Sequence, residues 1–322
     1  MKIVFWNIQK ASEGKLKKNL NSAIIGSNGL GNNVADYVVK IVLDDKVWAT
    51  ATGVPADAFV IIELVSGGSD KGGDATGTCL PALTKLEGAL NAAAVAANLN
   101  PLPTYRHIVP KITGHRETVG ILYNAATLTY VSDAVMRDTD NKFLPKRSPL
   151  WAKFTVGSTT TALNLIGVHG PTSKPSSDIY TAAVSYTNKL ADIAQIAQTG
   201  FIPKQATLIG GDFNCDGANT YSKSNNGKNA KISAFADLIA CAYTVPLLTG
   251  TKTSLLQSAD QSTKPPGYLS QPYDNIVCGA LPGATVKVID LCQNAPTWSK
   301  NAVATFNAAR TVSDHLPISV NW

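Results

Sequence analysis

Sulphur and charge are both scarce in this sequence. Its 322 residues include five cysteines, two methionines and four histidines, and charged residues make up 16% of the chain against 44% hydrophobic ones. The cysteines, Cys79, Cys215, Cys241, Cys278 and Cys292, are odd in number and widely spread, with no C-x-x-C pair. That spacing argues against a structural zinc framework and leaves room for one or two disulfides. No run of about eighteen apolar residues occurs, so no membrane-spanning helix is expected. No leader is visible either, because Lys10, Glu13, Lys15, Lys17 and Lys18 follow a single short apolar run. A soluble protein is expected, with its compartment open between the cytoplasm and export by a signal-independent route.

Other absences bear on organisation. There is no low-complexity linker and no repeat of fixed period, so one domain over residues 1–322 is expected, with a large sheet-based core. The stretch from Gly67 to Gly77 has five glycines but not the G-x-x-x-x-G-K-[ST] order, and reads as a mobile surface loop, not a phosphate cradle. What the chain does have is an excess of basic residues, net charge +6, which favours polyanions such as nucleic acid or an anionic lipid surface without choosing between them.

Apolar runs alternate with helical patterns. Lys2–Ile8 reads as a buried strand, and Asn32-Asn33 cap an amphipathic helix through Val34, Tyr37, Val38, Ile41 and Val42. Ala58–Leu64 is a second strand with Glu63 near its exit. A helix follows Pro81 through Leu83, Leu86 and Leu90 and stops before Pro101 and Pro103. Strands around 105–109, 119–123, 127–131, 150–156 and 163–168 read as one antiparallel meander, and 179–196 as a helix. The polar stretches 216–231 and 249–272 read as exposed loops on either side of a short helix over 232–243. The last strands are 275–278, 286–289 and 318–320.

Polar groups stand where several of these strands stop. His169 ends the run Leu163–Val168, Gly210-Gly211-Asp212-Phe213-Asn214 follows Ala206–Ile209, and Ser313-Asp314-His315 precedes the final strand. Strand ends are held by a rigid sheet yet reach solvent, which suits residues that bind a metal or move a proton. Together with Trp6-Asn7, Glu63 and Tyr273-Asp274-Asn275-Ile276-Val277, these motifs occur in an order that resembles the endonuclease/exonuclease/phosphatase superfamily. The resemblance spans nearly the whole chain. It implies a deoxyribonuclease I-like fold of the α/β (α+β) class: a four-layer sandwich of two face-to-face mixed or antiparallel sheets with helices outside.

The same resemblance implies hydrolysis of a phosphoester by water with a divalent cation, Mg2+ by preference and Mn2+ or Ca2+ as alternatives. Elementary chemistry asks for the same parts, because a phosphodiester anion repels hydroxide and its cleavage needs charge neutralisation, a base and a stabilised leaving oxygen. Glu63 is then a metal ligand, with Asn7 orienting it or touching the metal shell and phosphate, and Asp314 adding negative charge. Asp212 accepts a proton from water, while Asn214 donates to a phosphate oxygen. His315, paired with Asp274, lies nearest the water, and His169 lies on the phosphate or leaving group. Which of the two is acid and which base stays open. Glu117 orients His169, and Arg147, in Lys146-Arg147-Ser148-Pro149, grips phosphate. The duller alternatives are a structural ion pair for Glu63 or Glu117, an Asx turn at Asp212, core packing for the two histidines and a solvated charge at Arg147. His107 and His115 fall in no motif and read as structural or solvent-facing.

Three functions follow. The first is a magnesium-dependent endonuclease acting on DNA with little base preference, a monomer with no protein partner; Lys15, Lys17, Lys18, Lys223, Lys228 and Lys231 are candidate backbone contacts. The second is a phosphatase or phosphodiesterase on a small molecule or lipid headgroup, sphingomyelinase-like or inositol-phosphatase-like. Asn275, where several family branches carry Arg, weakens the inositol branch. The third is a noncatalytic scaffold of the same fold.

Overall fold

Period-two alternation, with both phases apolar, decides the layering. In strand β1 (Lys2–Ala11), Ile3 and Phe5 face one hydrophobic cluster while Val4, Trp6 and Ile8 face another. A strand buried on both faces sits inside a stack. The computed structural model describes residues 1–20, 32–44, 54–66, 79–109, 117–136, 147–159, 161–171, 181–195, 206–225, 228–256, 267–295 and 302–322.

One sheet has six strands in the order β12 (Thr285–Val288), β13 (Ile318–Asn321), β1, β2 (Ala58–Val65), β4 (Glu117–Asn124), β3 (Tyr105–Ile108). The other has five: β11 (Asp274–Gly279), β8 (Thr207–Asp212), β7 (Ala162–His169), β6 (Leu150–Val156), β5 (Leu128–Val135). Among the described residues only β1–β2 and β7–β8 pair in parallel, so both sheets are mixed. Phe5, Val60 and Ile121 of the first sheet meet Phe154, Leu165 and Leu208 of the second in a common core. Each fully buried side chain of this size contributes roughly 1.5–3 kcal/mol.

Helices α2 (Val34–Val42), α3 (Cys79–Ala96) and α6 (Ala302–Val312) cover the six-stranded sheet, and α4 (Thr181–Gln195) with α5 (Ala236–Ala240) cover the other. A short α1 (Glu13–Leu16) follows β1. As expected, Asn33 caps α2, its side chain accepting from Asp36 N. The result is the four-layer sandwich implied by the motifs. Among the described residues no helix is long and apolar enough to cross a membrane.

Several sequence expectations are corrected. The middle strands are not one meander: β3 and β4 form a hairpin in the first sheet, and β5, β6 and β7 form hairpins in the second. Alternation marks a strand but not the sheet it joins. Residues 216–231 are not simply a loop, because β9 (Thr220–Asn225) and β10 (Lys228–Ser233) pair as a separate hairpin. It lies outside both main sheets, so its sequence lacks the apolar phase that betrays a core strand. The 232–243 helix shrinks to α5, and Ile232 belongs to β10. Within 249–272, Thr253 and Ser254 are buried, not exposed. Helix α6 went unread, although Phe306, Ala309 and Val312 have helical spacing. No cysteine forms a disulfide; Cys215 instead packs 3.3 Å from Thr187 Oγ1. The Gly67–Gly77 loop, His115 and Lys146 lie outside the described residues.

Candidate active site

Strand register alone sets half of the constellation. His169 is the register partner of Asp212 across the parallel pair β7–β8, and Asp212 is the partner of Asp274 across β8–β11. Three ionisable side chains therefore stand in one row at a sheet end. Close backbone approach makes the row possible. A Cβ on Gly211, at φ +136°, would lie 2.2 Å from Val168 O, and one on Gly210 would meet the Phe5 ring at 2.7 Å.

The six-stranded sheet delivers the other half by distortion. The β1–β2 register slips between Asn7 and Ala11, and β2–β4 slips between Ile61 and Leu64. Lys10 and Glu63 take left-handed backbone angles, φ 56° and 60°. Such bulges re-aim side chains. Glu63 is thereby turned toward the second sheet, where Asn7 Nδ2 donates to both Glu63 Oε1 and Asp212 Oδ2, each at 3.0 Å. Lys10 N donates to Glu63 Oε2 at 3.2 Å.

His315 arrives from the segment between α6 and β13. Its Nδ1 lies 2.8 Å from Asp274 Oδ2, and its Nε2 lies 3.7 Å from Asp212 Oδ2. Trp6 Nε1 donates to His315 O at 2.9 Å, and Ser313 Oγ donates to Asn7 O while accepting from His315 N. Thr253 Oγ1 accepts from Asp274 N at 2.8 Å. These clamps were not read from the sequence. Trp6 and Ser313 sat inside quoted motifs, which was the available signal; Thr253 gave none.

Arg147 fixes the state of His169. Its Nη1 lies 2.6 Å from His169 Nε2 and donates to Gly170 O at 2.8 Å, while Nη2 donates to Glu117 Oε2 at 3.0 Å. A guanidinium has no acceptor, so His169 Nε2 is the unprotonated nitrogen and the proton sits on Nδ1, 3.7 Å from Glu117 Oε2. Burial, with the positive charges of Arg147 and His315, holds His169 well below the usual imidazole range. Burial acts the same way on His315, but the Asp274 and Asp212 carboxylates outweigh it and raise that imidazole to about 9. Asp212 is pushed up by burial, pulled back by His315 and raised again by Asp274, reaching about 7. The molecule thus holds one neutral and one cationic histidine side by side.

Asn214, at φ 53°, donates from its backbone N to Asp212 Oδ1 at 2.8 Å and from Nδ2 to Gly170 O at 2.9 Å. Asn7, Glu63, Glu117, Arg147, His169, Asp212, Asn214, Asp274 and His315 are therefore linked in one network. Asp314 sits at the edge of this network: its Oδ1 lies 4.0 Å from His315 Nε2, while its Oδ2 accepts from Gln9 Nε2 at 3.1 Å and lies 3.2 Å from Arg310 Nη1. His107 is remote, 2.6 Å from Glu87 on the outside.

Among the described residues two overlapping groups have donor atoms close enough to share a cation: Glu63, His169 and Asp212, or Asp212, Asp274 and His315. The first fits a hard divalent ion better, because Glu63 and Asp212 offer oxygens on one side and Asn7 already bridges them. Asp212, buried and disfavoured as an anion, is the kind of group whose charge a cation would relieve.

No protein-family model matches this chain, and no curated protein does. Solved structures do match in shape. A functionally unknown conserved protein from Enterococcus faecalis V583 is 14% identical, with 100% of this chain and 98% of that one covered at a TM-score of 0.53. An endonuclease/exonuclease/phosphatase family protein from Bacteroides thetaiotaomicron is 14% identical, covering 99% of this chain and 93% of its own at 0.53. TDP2 from C. elegans is 12% identical, covering 99% of this chain and 74% of its own at 0.50. Such likeness speaks for architecture, and with the two mixed sheets and flanking helices it establishes that the chain has the deoxyribonuclease I-like fold.

Proposed function

We propose that the chain, as one catalytic unit over residues 1–322, is a divalent-metal-dependent phosphodiesterase, and specifically a monomeric endonuclease acting on DNA with little sequence preference. The observation that carries the reading is the meeting of two strand-end rows, Asn7–Glu63 and His169–Asp212–Asp274, under His315 and Arg147. A packing role would not place three carboxylates and two imidazoles within touching distance, since each buried charge costs free energy unless it is used or paired.

Glu63 and Asp212, oriented by Asn7, would hold the cation, which when bound neutralises the phosphate and makes water more acidic. Arg147 and the second N–H of the Asn214 amide are placed to grip phosphate oxygens beside Gly170 O. Asp212, the carboxylate that faces both imidazoles, takes the proton of the attacking water. His315, kept cationic by Asp274, stabilises the charge gathering on the phosphoryl oxygens and can pass its Nε2 proton onward. His169 stays neutral, its ring fixed between Arg147 and Glu117, and its Nε2 is an acceptor that orients rather than donates.

Incubating the protein with supercoiled plasmid, with Mg2+ and then with chelator, tests the reading beside bis(p-nitrophenyl) phosphate. Nicked or linear plasmid that disappears on chelation is expected. Turnover of the small diester with intact plasmid would move the assignment to a small-molecule phosphodiesterase.

A further inference from the structure

Beyond the catalytic rows, a cavity of about 940 Å³ opens at the far end of β1, between α1 and α6. Its lining is cationic: Lys10, Lys15, Lys17, Lys18 and Arg310, with no carboxylate among the lining residues. Two of these charges are answered from behind, Lys17 by Glu13 at 2.5 Å and Arg310 by Asp314 at 3.2 Å. Lys15 donates to the carbonyls of Ile8 and Gln9. Among the described residues no carboxylate lies within ion-pair distance of Lys10 or Lys18, and both are exposed. Arg310 Nε is buried without a hydrogen-bond acceptor, while Nη1 faces Asp314. Burial and the crowd of neighbouring cations leave Lys15 at about 8, Glu63 offsetting only part of this. Buried donors without acceptors beside unneutralised ammonium groups are what an anion would satisfy.

Position says which anion. Lys10 follows Asn7 by three residues on β1, so the two lie at most about 10 Å apart across the bulge, and its own backbone N holds Glu63. The basin is therefore within reach of a neighbouring phosphate of a strand whose reacting phosphate sits at the catalytic rows. None of the exposed large apolar side chains, Val54, Leu80, Val95, Leu102, Tyr130, Val131, Ile239 or Leu248, lines it, which disfavours a lipid surface. We infer that this basin binds a second phosphate of the same strand, so that the substrate is a polynucleotide gripped at two places and not a lone phosphoester. The inference rests on the phosphodiesterase reading and specifies its substrate.

The test uses the full chain carrying Lys10→Ala and Lys18→Ala together, both exposed and so without consequence for the core. Two readouts are taken: cleavage of a labelled oligonucleotide against bis(p-nitrophenyl) phosphate, and oligonucleotide binding by fluorescence anisotropy across a salt series. The expected result is a fall in kcat/KM at least ten-fold larger for the oligonucleotide than for the single phosphodiester. Binding should weaken, with the slope of log K against log salt reduced by about 1.4–1.8 for two lost contacts. Equal losses on both substrates, an unchanged salt slope, or tighter binding to phosphatidylserine vesicles than to oligonucleotide would overturn the inference. The two readings fail separately. A chain that cleaves neither substrate but binds the oligonucleotide through these lysines loses the hydrolase assignment and keeps the basin. A chain that hydrolyses the diester while its oligonucleotide binding ignores them does the reverse.

Discussion

The two rows that meet at the candidate site are built in opposite ways. His169, Asp212 and Asp274 stand on uninterrupted ladders, each the register partner of the next. Asn7 and Glu63 stand at register slips, with Lys10 and Glu63 in backbone conformations that L residues avoid. On the proposed function, the regular row carries the buried, proton-handling groups, and the bent row brings in a partly exposed carboxylate for a cation. Proton transfer needs fixed donors and acceptors, whereas a hard cation that keeps several of its waters needs only one or two protein carboxylates. Regularity and strain have each been placed where the chemistry can use them.

The largest effects should come from the regular row and the His315 imidazole packed against it. Asp212→Ala and His315→Ala are expected to lower kcat by about a thousand-fold or more without loss of the folded far-UV signature, in line with the cost of removing general acid–base groups. Full turnover in both variants would mean the row is structural. On the bent row, Glu63→Gln should weaken Mg2+ binding at least ten-fold by calorimetry and leave the His169–Asp212–Asp274 geometry alone; unchanged affinity would remove Glu63 from the ligand set.

Packing separates the rows next. Gly210→Ala puts a methyl group against the Phe5 ring, where 2.7 Å is available, and should cost about 1–3 kcal/mol in chemical denaturation. A smaller effect is expected in pH. His315 is raised from an ordinary 6.5 to about 9, so the native state binds the extra proton and the contribution is full below about 6.5 and lost as pH climbs through 9. Melting of the metal-free protein should therefore fall across that window, and Asp274→Asn should flatten the fall. The smallest change is Lys10→Gly, which relieves a left-handed residue on the bent row and should add about 0.5–1 kcal/mol. A loss instead would show that the bulge is not strained.

Much of this was legible because strand ends write themselves into sequence: apolar runs stopping at His169, at Asp212 and just past Glu63 marked where the sheets would present polar groups. The Asn33 cap was equally plain. What escaped has a common cause. The assignment of hairpins to sheets depends on contacts far apart in the chain, which alternation does not encode. The β9–β10 hairpin lacks a core-facing phase, and the apolar spacing of α6 is diluted by Thr305, Asn307 and Arg310. Asp314 shares its motif with His315 and turns one oxygen toward His315 Nε2, but its other oxygen is held by Arg310, a partner the motif does not show. Thr253 acts through its side chain on the backbone of a residue twenty-one positions away, a relation no local pattern announces.

The clasp of Trp6 and Asn7 by residues 313–315 has a bearing on timing as well as geometry. Translation makes β1 long before residues 313–315, and β13, which closes on β1, comes later still. A nascent chain can assemble Asp212 beside His169 long before the imidazole that completes the row exists. The candidate site therefore stays incomplete on any nascent chain that has not yet reached residue 315.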